Sequence, residues 1–232
     1  MIALSFALPE ESKGIVQRLA GATRSGPAAL PVIAGTLAGR EVVVVHSGLG
    51  MASAAARISS FLEEHAPSAW IASGFGGGLN ATLKIGDIVV ARNFSDGSLL
   101  DAIAALPART GALITTKGVI ETAVEKKDLA RHTRAIVVDM ETAAIHRICT
   151  ACRIPVLAVR AISDTAGQDL PVPSAVWFDT QRQRPRPLPL LLHLATHPGR
   201  ITPFVRFVRG IHHARARLTD FLLATLEVLP QK

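Results

Sequence analysis

The chain has 232 residues, of which 49% are apolar and 4% aromatic, with no tyrosine. That length suits one well-buried α/β domain, and the lack of aromatic stacking platforms argues against a nucleic-acid partner. The formal charge of +7 is lopsided, because residues 181–232 carry nine Lys or Arg against Asp220 and Glu227, whereas the first 180 residues carry sixteen of each sign. A basic tail on a neutral body reads as a surface for anionic partners.

The opening run IALSFAL reads as a strand, Ile2 to Leu8, with no basic leader before it, and no stretch of about 18 uncharged apolar residues follows. A cytoplasmic protein is the expectation. A helix begins near Pro9, which suits a first helical turn, and Glu10 and Glu11 favour its dipole. Residues 21–37, rich in Gly, Ala and Pro, read as a loop and a strand. Arg40 to Gly50 is a buried strand running into an S-G-L-G turn, and a helix follows from Met51 to Glu64. Ser53 stands where G-x-G-x-x-G needs its last glycine, so no dinucleotide cofactor is expected. The turn can still present backbone N–H groups to an anion or hydroxyl.

Trp70 to Ser73 is a strand that feeds Gly74, Phe75, Gly76, Gly77 and Gly78, where missing β-carbons allow close approach of a ligand. LKIGDIVVAR supplies the next strand. Leu113 to Thr116 is a short strand ending in a turn, Lys117 to Ile120, and Glu125, Lys126, Lys127 and Asp128 read as a solvated helix face. Val137 and Val138 close an apolar run. Apolar residues then recur at helical spacing from Glu141 to Cys152, and Pro155 to Ile162 is a near-continuous apolar strand. Each of those strands ends on an acid, Glu141 and Asp164. A parallel pairing would bring both to one sheet edge, where open α/β sheets bind ligands; a bare Asp after a strand is otherwise a helix cap or turn former. Cys149 and Cys152 form a single C-x-x-C inside a helix, too few ligands for a closed zinc site and wrongly placed for a redox motif, so both read as small buried hydrophobes. Solitary histidines at 46, 146, 193 and 197 give no metal spacing.

The tail has a basic loop with Pro185, Pro187 and Pro189. Two or three short amphipathic helices follow, broken at Pro198-Gly199 and Pro203. Ala214, Leu218, Phe221, Leu222 and Leu226 would face the core. Leucine and phenylalanine beside Arg200, Arg206 and Arg209 fit either ordinary packing or an anionic membrane surface.

D-M-E-T-A-A, then P-V-L-A-V-R-A-I-S-D-T-A, together with the glycine run and K-I-G-D-I-V-V, resembles the nucleoside phosphorylase and nucleosidase superfamily, near its methylthioadenosine/S-adenosylhomocysteine nucleosidases. The resemblance implies a single-domain three-layer α/β/α sandwich with a mixed central sheet over residues 1–180, and a C-terminal helical extension, residues 181–232, packed on it. It implies that Met140 and Glu141 hold the ribose, that Ser163 and Asp164 hold the purine, and that Gly48, Gly74, Phe75 and Gly76 line the nucleoside. Asp164 would engage N7 as a neutral acid or as a hydrogen-bonding partner that delivers a proton. Val119 stands near a position where relatives carry an aromatic, and residues 93–135 are short for the family, so the mouth over the 5′ side should be open. Aligning the strand end puts Glu11 in the general acid/base slot, whereas an ungapped count from Met1 would put Ser12 there.

No metal or cofactor is implied, and phosphate is a possible co-substrate. Phosphorylases carry an arginine where Ala72 stands, and their G-D-x-x-R is replaced by A-L-P-E-E-S, which favours hydrolysis. The basic, apolar tail and short lid resemble the hopanoid-associated phosphorylases, thought to release adenine from the lipid nucleoside adenosylhopane, and that favours phosphorolysis. Lys13, Arg40, His46 and Lys117 are the anion partners to consider. A homodimer, peripheral contact with the inner membrane surface and adenine release are expected, with a non-catalytic nucleoside binder and a basic-tail nucleic-acid binder as the remaining readings.

Overall fold

The computed structural model describes residues 1–28 and 31–230. Residues 29 and 30, part of the Gly/Ala/Pro-rich stretch, lie outside that set. In chain order the elements are β1 (Ile2–Phe6), α1 (Pro9–Val16), β2 (Ala20–Ser25), β3 (Val32–Leu37), β4 (Arg40–His46), α2 (Met51–Glu64), β5 (Ala69–Gly78), β6 (Ile88–Ala91), α3 (Gly97–Ala102), β7 (Arg109–Gly111), β8 (Leu113–Thr115), α4 (Ala123–Thr133), β9 (Val137–Asp139), α5 (Thr142–Ala151) and β10 (Val156–Asp164). They are followed by α6 (Ser174–Trp177), a small hairpin of β11 (Phe178–Asp179) and β12 (Arg184–Pro185), α7 (Pro187–Thr196) and α8 (Ile201–Val228).

β1 to β10 form one mixed sheet, in the order β2-β3-β4-β1-β5-β10-β6-β7, with β9 bridging β5 and β8. The central strands β4, β1, β5 and β10 run parallel. Their side chains alternate between two cores because successive residues of a strand point to opposite faces. Leu4, Val42, Val44, Leu157 and Val159 meet α1, α3 and α8 on one face. Val43, Val45, Trp70, Ala72 and Ala158 meet α2 and α5 on the other. The three-layer architecture follows, since strands covered on both sides must be apolar throughout.

The second half of α8 buries Ala214, Leu218, Phe221, Leu222 and Leu226 in the first core, as the helical spacing predicts. Full burial of each leucine stabilises by about 1.5–3 kcal/mol. Pro203 does not break this helix. It falls in the first turn, whose N–H groups have no intrahelical acceptor to lose, so the only interruption is the short 3₁₀ turn at Pro198–Arg200. Cys149 is in the core, and burial pushes its thiol up to about 12. Cys152, read as buried, is exposed just past the end of α5. No helix among the described residues is long and apolar enough to cross a membrane.

Candidate functional site

The site forms where β5 ends. Gly77 of β5 pairs antiparallel with Val138 of β9 and parallel with Asp164 of β10. The two strands that end on acids are therefore not neighbours, contrary to the direct parallel pairing expected from sequence; each flanks β5, which brings their ends together. The β10 register slips between Ile162 and Asp164, so Ser163 is an extra residue opposite β5. Such a bulge re-aims the side chain that follows it.

On one side of the β5 end, α1 delivers Glu11. Its Oε2 accepts the Leu8 N–H at 3.0 Å and its Oε1 accepts the Phe75 N–H at 2.9 Å. A β-carbon on Gly74 would lie 3.0 Å from Oε1, so the glycine is what lets the carboxylate lie against the strand. Ser12 points elsewhere, its hydroxyl 2.7 Å from His46 Nε2. Glu141, just before α5, accepts the Gly50 N–H at 2.7 Å on Oε1 and its neighbour's Met140 N–H at 3.3 Å on Oε2. Desolvation raises both carboxyls above the usual range, Glu141 to about 8 with the Asp139 charge adding to the push. A cavity of about 10 Å³ lies between them, lined by Glu11, Glu141, Ser73, Gly74, Phe75 and Arg160 among others. That is about the volume one water centre requires.

Arg160 is the cation of this cavity and sequence reasoning passed over it. Its guanidinium pairs with Asp139 Oδ2 at 2.6 Å and donates to Thr142 Oγ1 at 2.6 Å and to the Ala72 carbonyl at 2.8 Å. The available signal was a lone charge inside the apolar run of β10, which a buried strand accepts only when the charge is paired.

On the other side of the β5 end sits Asp164. Oδ1 accepts the Ser163 hydroxyl at 2.6 Å, and Ser163 also reaches the Gly76 carbonyl at 3.2 Å. Oδ2 lies 2.5 Å from the Lys126 ammonium, whose side chain is fully buried. Lys126 therefore does not belong to a solvated helix face, as the charge run around it predicts; Glu125, Lys127 and Asp128 do. A capping box at Thr122 and Glu125 starts α4 so that Lys126 points inward.

Gly48 has φ +75, and a β-carbon there would strike the Ser53 hydroxyl and approach Gln183 Oε1 at 2.9 Å. Gln183, at the tip of the β11–β12 hairpin, accepts the Leu49 N–H at 2.7 Å and donates to the Leu49 carbonyl at 3.0 Å, so the start of the tail clamps the S-G-L-G turn. Nothing in the sequence flagged it. Gly76 is held close to β9, where a β-carbon would come within 2.7 Å of Val137. Met140 and Val119 are half-buried, and neither lines the small cavity.

Of the expected anion partners, two are elsewhere or engaged. Arg40 is at the opposite end of β4, bonded to the Leu229 and Pro230 carbonyls. His46 is buried with Nδ1 against the Pro31 carbonyl and Nε2 against Ser12, so both ring nitrogens are engaged, and burial lowers its pKa. Lys13 and Lys117 are exposed and line no part of the cavity.

The chain is 29% identical to a 5′-methylthioadenosine/S-adenosylhomocysteine nucleosidase of Shewanella baltica, over 74% of this chain and 86% of that one. A second such nucleosidase, from Shewanella piezotolerans, is 28% identical over 77% and 90%. Among solved structures, the Streptococcus pneumoniae nucleosidase with a transition-state inhibitor superposes with a TM-score of 0.75 at 23% identity, covering 99% of both chains. A Helicobacter pylori futalosine hydrolase gives 0.72 at 14% identity, covering 98% and 99%. Residues 1–104 and 93–185 match the Phosphorylase superfamily, and the chain belongs to that family.

Proposed function

We propose that this enzyme cleaves the N-glycosidic bond of an adenine nucleoside with a substituent on its 5′ carbon, and that water is the attacking group. The observation that carries the reading is the gathering of Glu11, Glu141 and Asp164 at the end of β5, with Glu11 and Glu141 lining a water-sized cavity whose one lining cation, Arg160, is already paired. Cleavage needs electron withdrawal into the base and stabilisation of an oxocarbenium-like sugar. Asp164 and Ser163 face the base and stabilise the charge that builds at N7. Glu141 holds the ribose hydroxyls, with Met140 packing on the sugar and Gly48 on its outer edge. Phe75 makes the wall apolar and Val119 flanks the base. Glu11, whose pKa burial raises, takes the proton from water as a carboxylate.

Phosphate as the attacking group would require a cation the cavity does not offer, yet the tail supports a lipid-linked 5′ substituent of the adenosylhopane kind. Leu188, Leu191 and Leu192 of α7 and Ile201 and Val205 of α8 are exposed, and no acid occurs between Asp179 and Asp220. Such a face fits the anionic inner membrane surface. We also expect a homodimer, which light scattering after size exclusion would read.

The test is adenine release from adenosine, methylthioadenosine and a 5′-alkyl adenosine, with and without phosphate. Release in phosphate-free buffer supports hydrolysis. Strict dependence on phosphate would replace water by phosphorolysis, and no release from any of the three would sink the reading. Sedimentation with phosphatidylglycerol vesicles, lost in Leu191→Glu and at high salt, reads the tail.

A further inference from the structure

We propose that Ser12 and His46 are positioning residues: their hydrogen bond ties the start of α1 to the end of β4 and so sets Glu11 against Glu141 across the small cavity. This rests on the assignment of Glu11 as the base that takes the proton from water.

Left to itself, α1 is weakly held. It is eight residues long, contains Gly14, and buries one apolar side chain, Ile15, beside the polar Glu11 and Ser12; a helix this short is not stable alone. Its N-cap residue, Leu8, has no side-chain acceptor to offer. The first turn is capped instead by Glu11, which accepts the Leu8 N–H. A carboxylate that caps its own helix follows any movement of that turn. A second polar tie, from Arg215 of α8 to Glu10 at 3.7 Å, involves a carboxylate 77% exposed and so contributes little.

The Ser12–His46 contact is of the opposite kind. Both residues are buried, with Oγ and Nε2 2.7 Å apart. His46 Nδ1 lies 2.6 Å from the Pro31 carbonyl, which can only accept, so Nδ1 carries a hydrogen. With Nε2 unprotonated, the Ser12 hydroxyl donates to it. With Nε2 protonated, the ring donates to Oγ and the hydroxyl turns to the Pro9 carbonyl at 3.1 Å. The link between α1 and β4 therefore survives either protonation state. From His46 the chain runs straight into the turn that holds the other acid. The Ser47 and Gly48 N–H groups donate to the Phe6 and Ala7 carbonyls at 2.8 and 3.0 Å, and the Gly50 N–H donates to Glu141. Glu11 and Glu141, carried by different elements, are thus registered to each other through residues 46–50. Ser12→Ala would strip Nε2 of its buried partner and release the first turn of α1, and a displacement of about 1 Å can cost about 100-fold in rate.

The experiment measures kcat and KM, on a nucleoside the wild type cleaves, for Ser12→Ala, His46→Leu and the double variant, and repeats them in a Glu11→Gln background by single turnover. Melting temperature confirms that each protein is folded. Either single variant should lower kcat at least about tenfold and leave KM within about threefold, since Glu11 acts on water and not on the bound nucleoside. The double variant should lose little more than the worse single one, because both break the same link. In the Glu11→Gln background neither change should lower the rate by more than about twofold, because the group they position is gone. A folded Ser12→Ala or His46→Leu protein with wild-type kcat, or one that loses the same factor in both backgrounds, would overturn the inference and leave the pair as ordinary core structure. Glu11→Gln with wild-type turnover would instead overturn the assignment of Glu11 as the base, and the inference with it.

Discussion

Glu11 and Glu141 are buried against backbone N–H groups, with the nearest cation turned toward Asp139; Asp164 is buried against an ammonium made for it. The first arrangement leaves the carboxyls poorly solvated and lifts their pKa values. The second fixes a charge. The end of β5 thus gathers three acids held by two different means, and the difference lies in what each loses on neutral replacement.

Glu11→Gln gives the largest expected effect, a loss of about 1000-fold in kcat, with a melting temperature that changes little, because relief of a poorly solvated carboxyl is offset by the loss of one of its two backbone N–H bonds. A melting temperature that drops would show that Glu11 is structurally held after all. Asp164→Asn behaves oppositely: it leaves Lys126 unpaired in the interior, which costs about 3–5 kcal/mol. The double variant Asp164→Asn/Lys126→Met should recover part of that stability, and denaturant melts of wild type, both single variants and the double would reveal whether the pair is coupled.

Glu141 sharpens the contrast through pH. Its folded-state value near 8 lies above the ordinary 4.5, so the native state holds an extra proton between those limits and the unfolded chain does not. Stability from this group is complete below about pH 4.5 and is lost as pH rises toward 8. Glu141→Gln should flatten the fall in melting temperature across that window; an unchanged slope would mean that the Gly50 and Met140 N–H groups solvate the carboxylate well. The smallest effect belongs to Gln183→Ala, which removes two hydrogen bonds to Leu49 at about 1 kcal/mol each and should raise KM a few-fold with kcat little altered.

The layered sheet, the helical face of α8 and the strand-end acids Glu141 and Asp164 were legible because they depend on local pattern: apolar strands, 3.6-residue spacing, and acids that follow strands; Glu11 entered through the family resemblance, since local pattern marks it only as an acid in a first helical turn. What escaped was set by tertiary pairing. Lys126 sits in a run of charges that carries no mark of which member turns inward. Gln183 is an ordinary loop residue until the hairpin folds back on Leu49. The partner of β9 could not be read because β5 is long enough to pair with two strands at once, and Pro203 misled because a helix-breaking residue is harmless in a first turn.

β5 supplies the site with backbone and the Ser73 and Phe75 side chains: Gly74, Gly76 and Gly77 offer none, while the candidate groups arrive from α1, the turn before α2, the entrance to α5 and the end of β10. The part that fixes geometry is thus separate from the parts that decide chemistry. For protein engineering, this makes β5 the segment to leave untouched, and the four surrounding segments modules whose exchange could retarget the enzyme without rebuilding its frame.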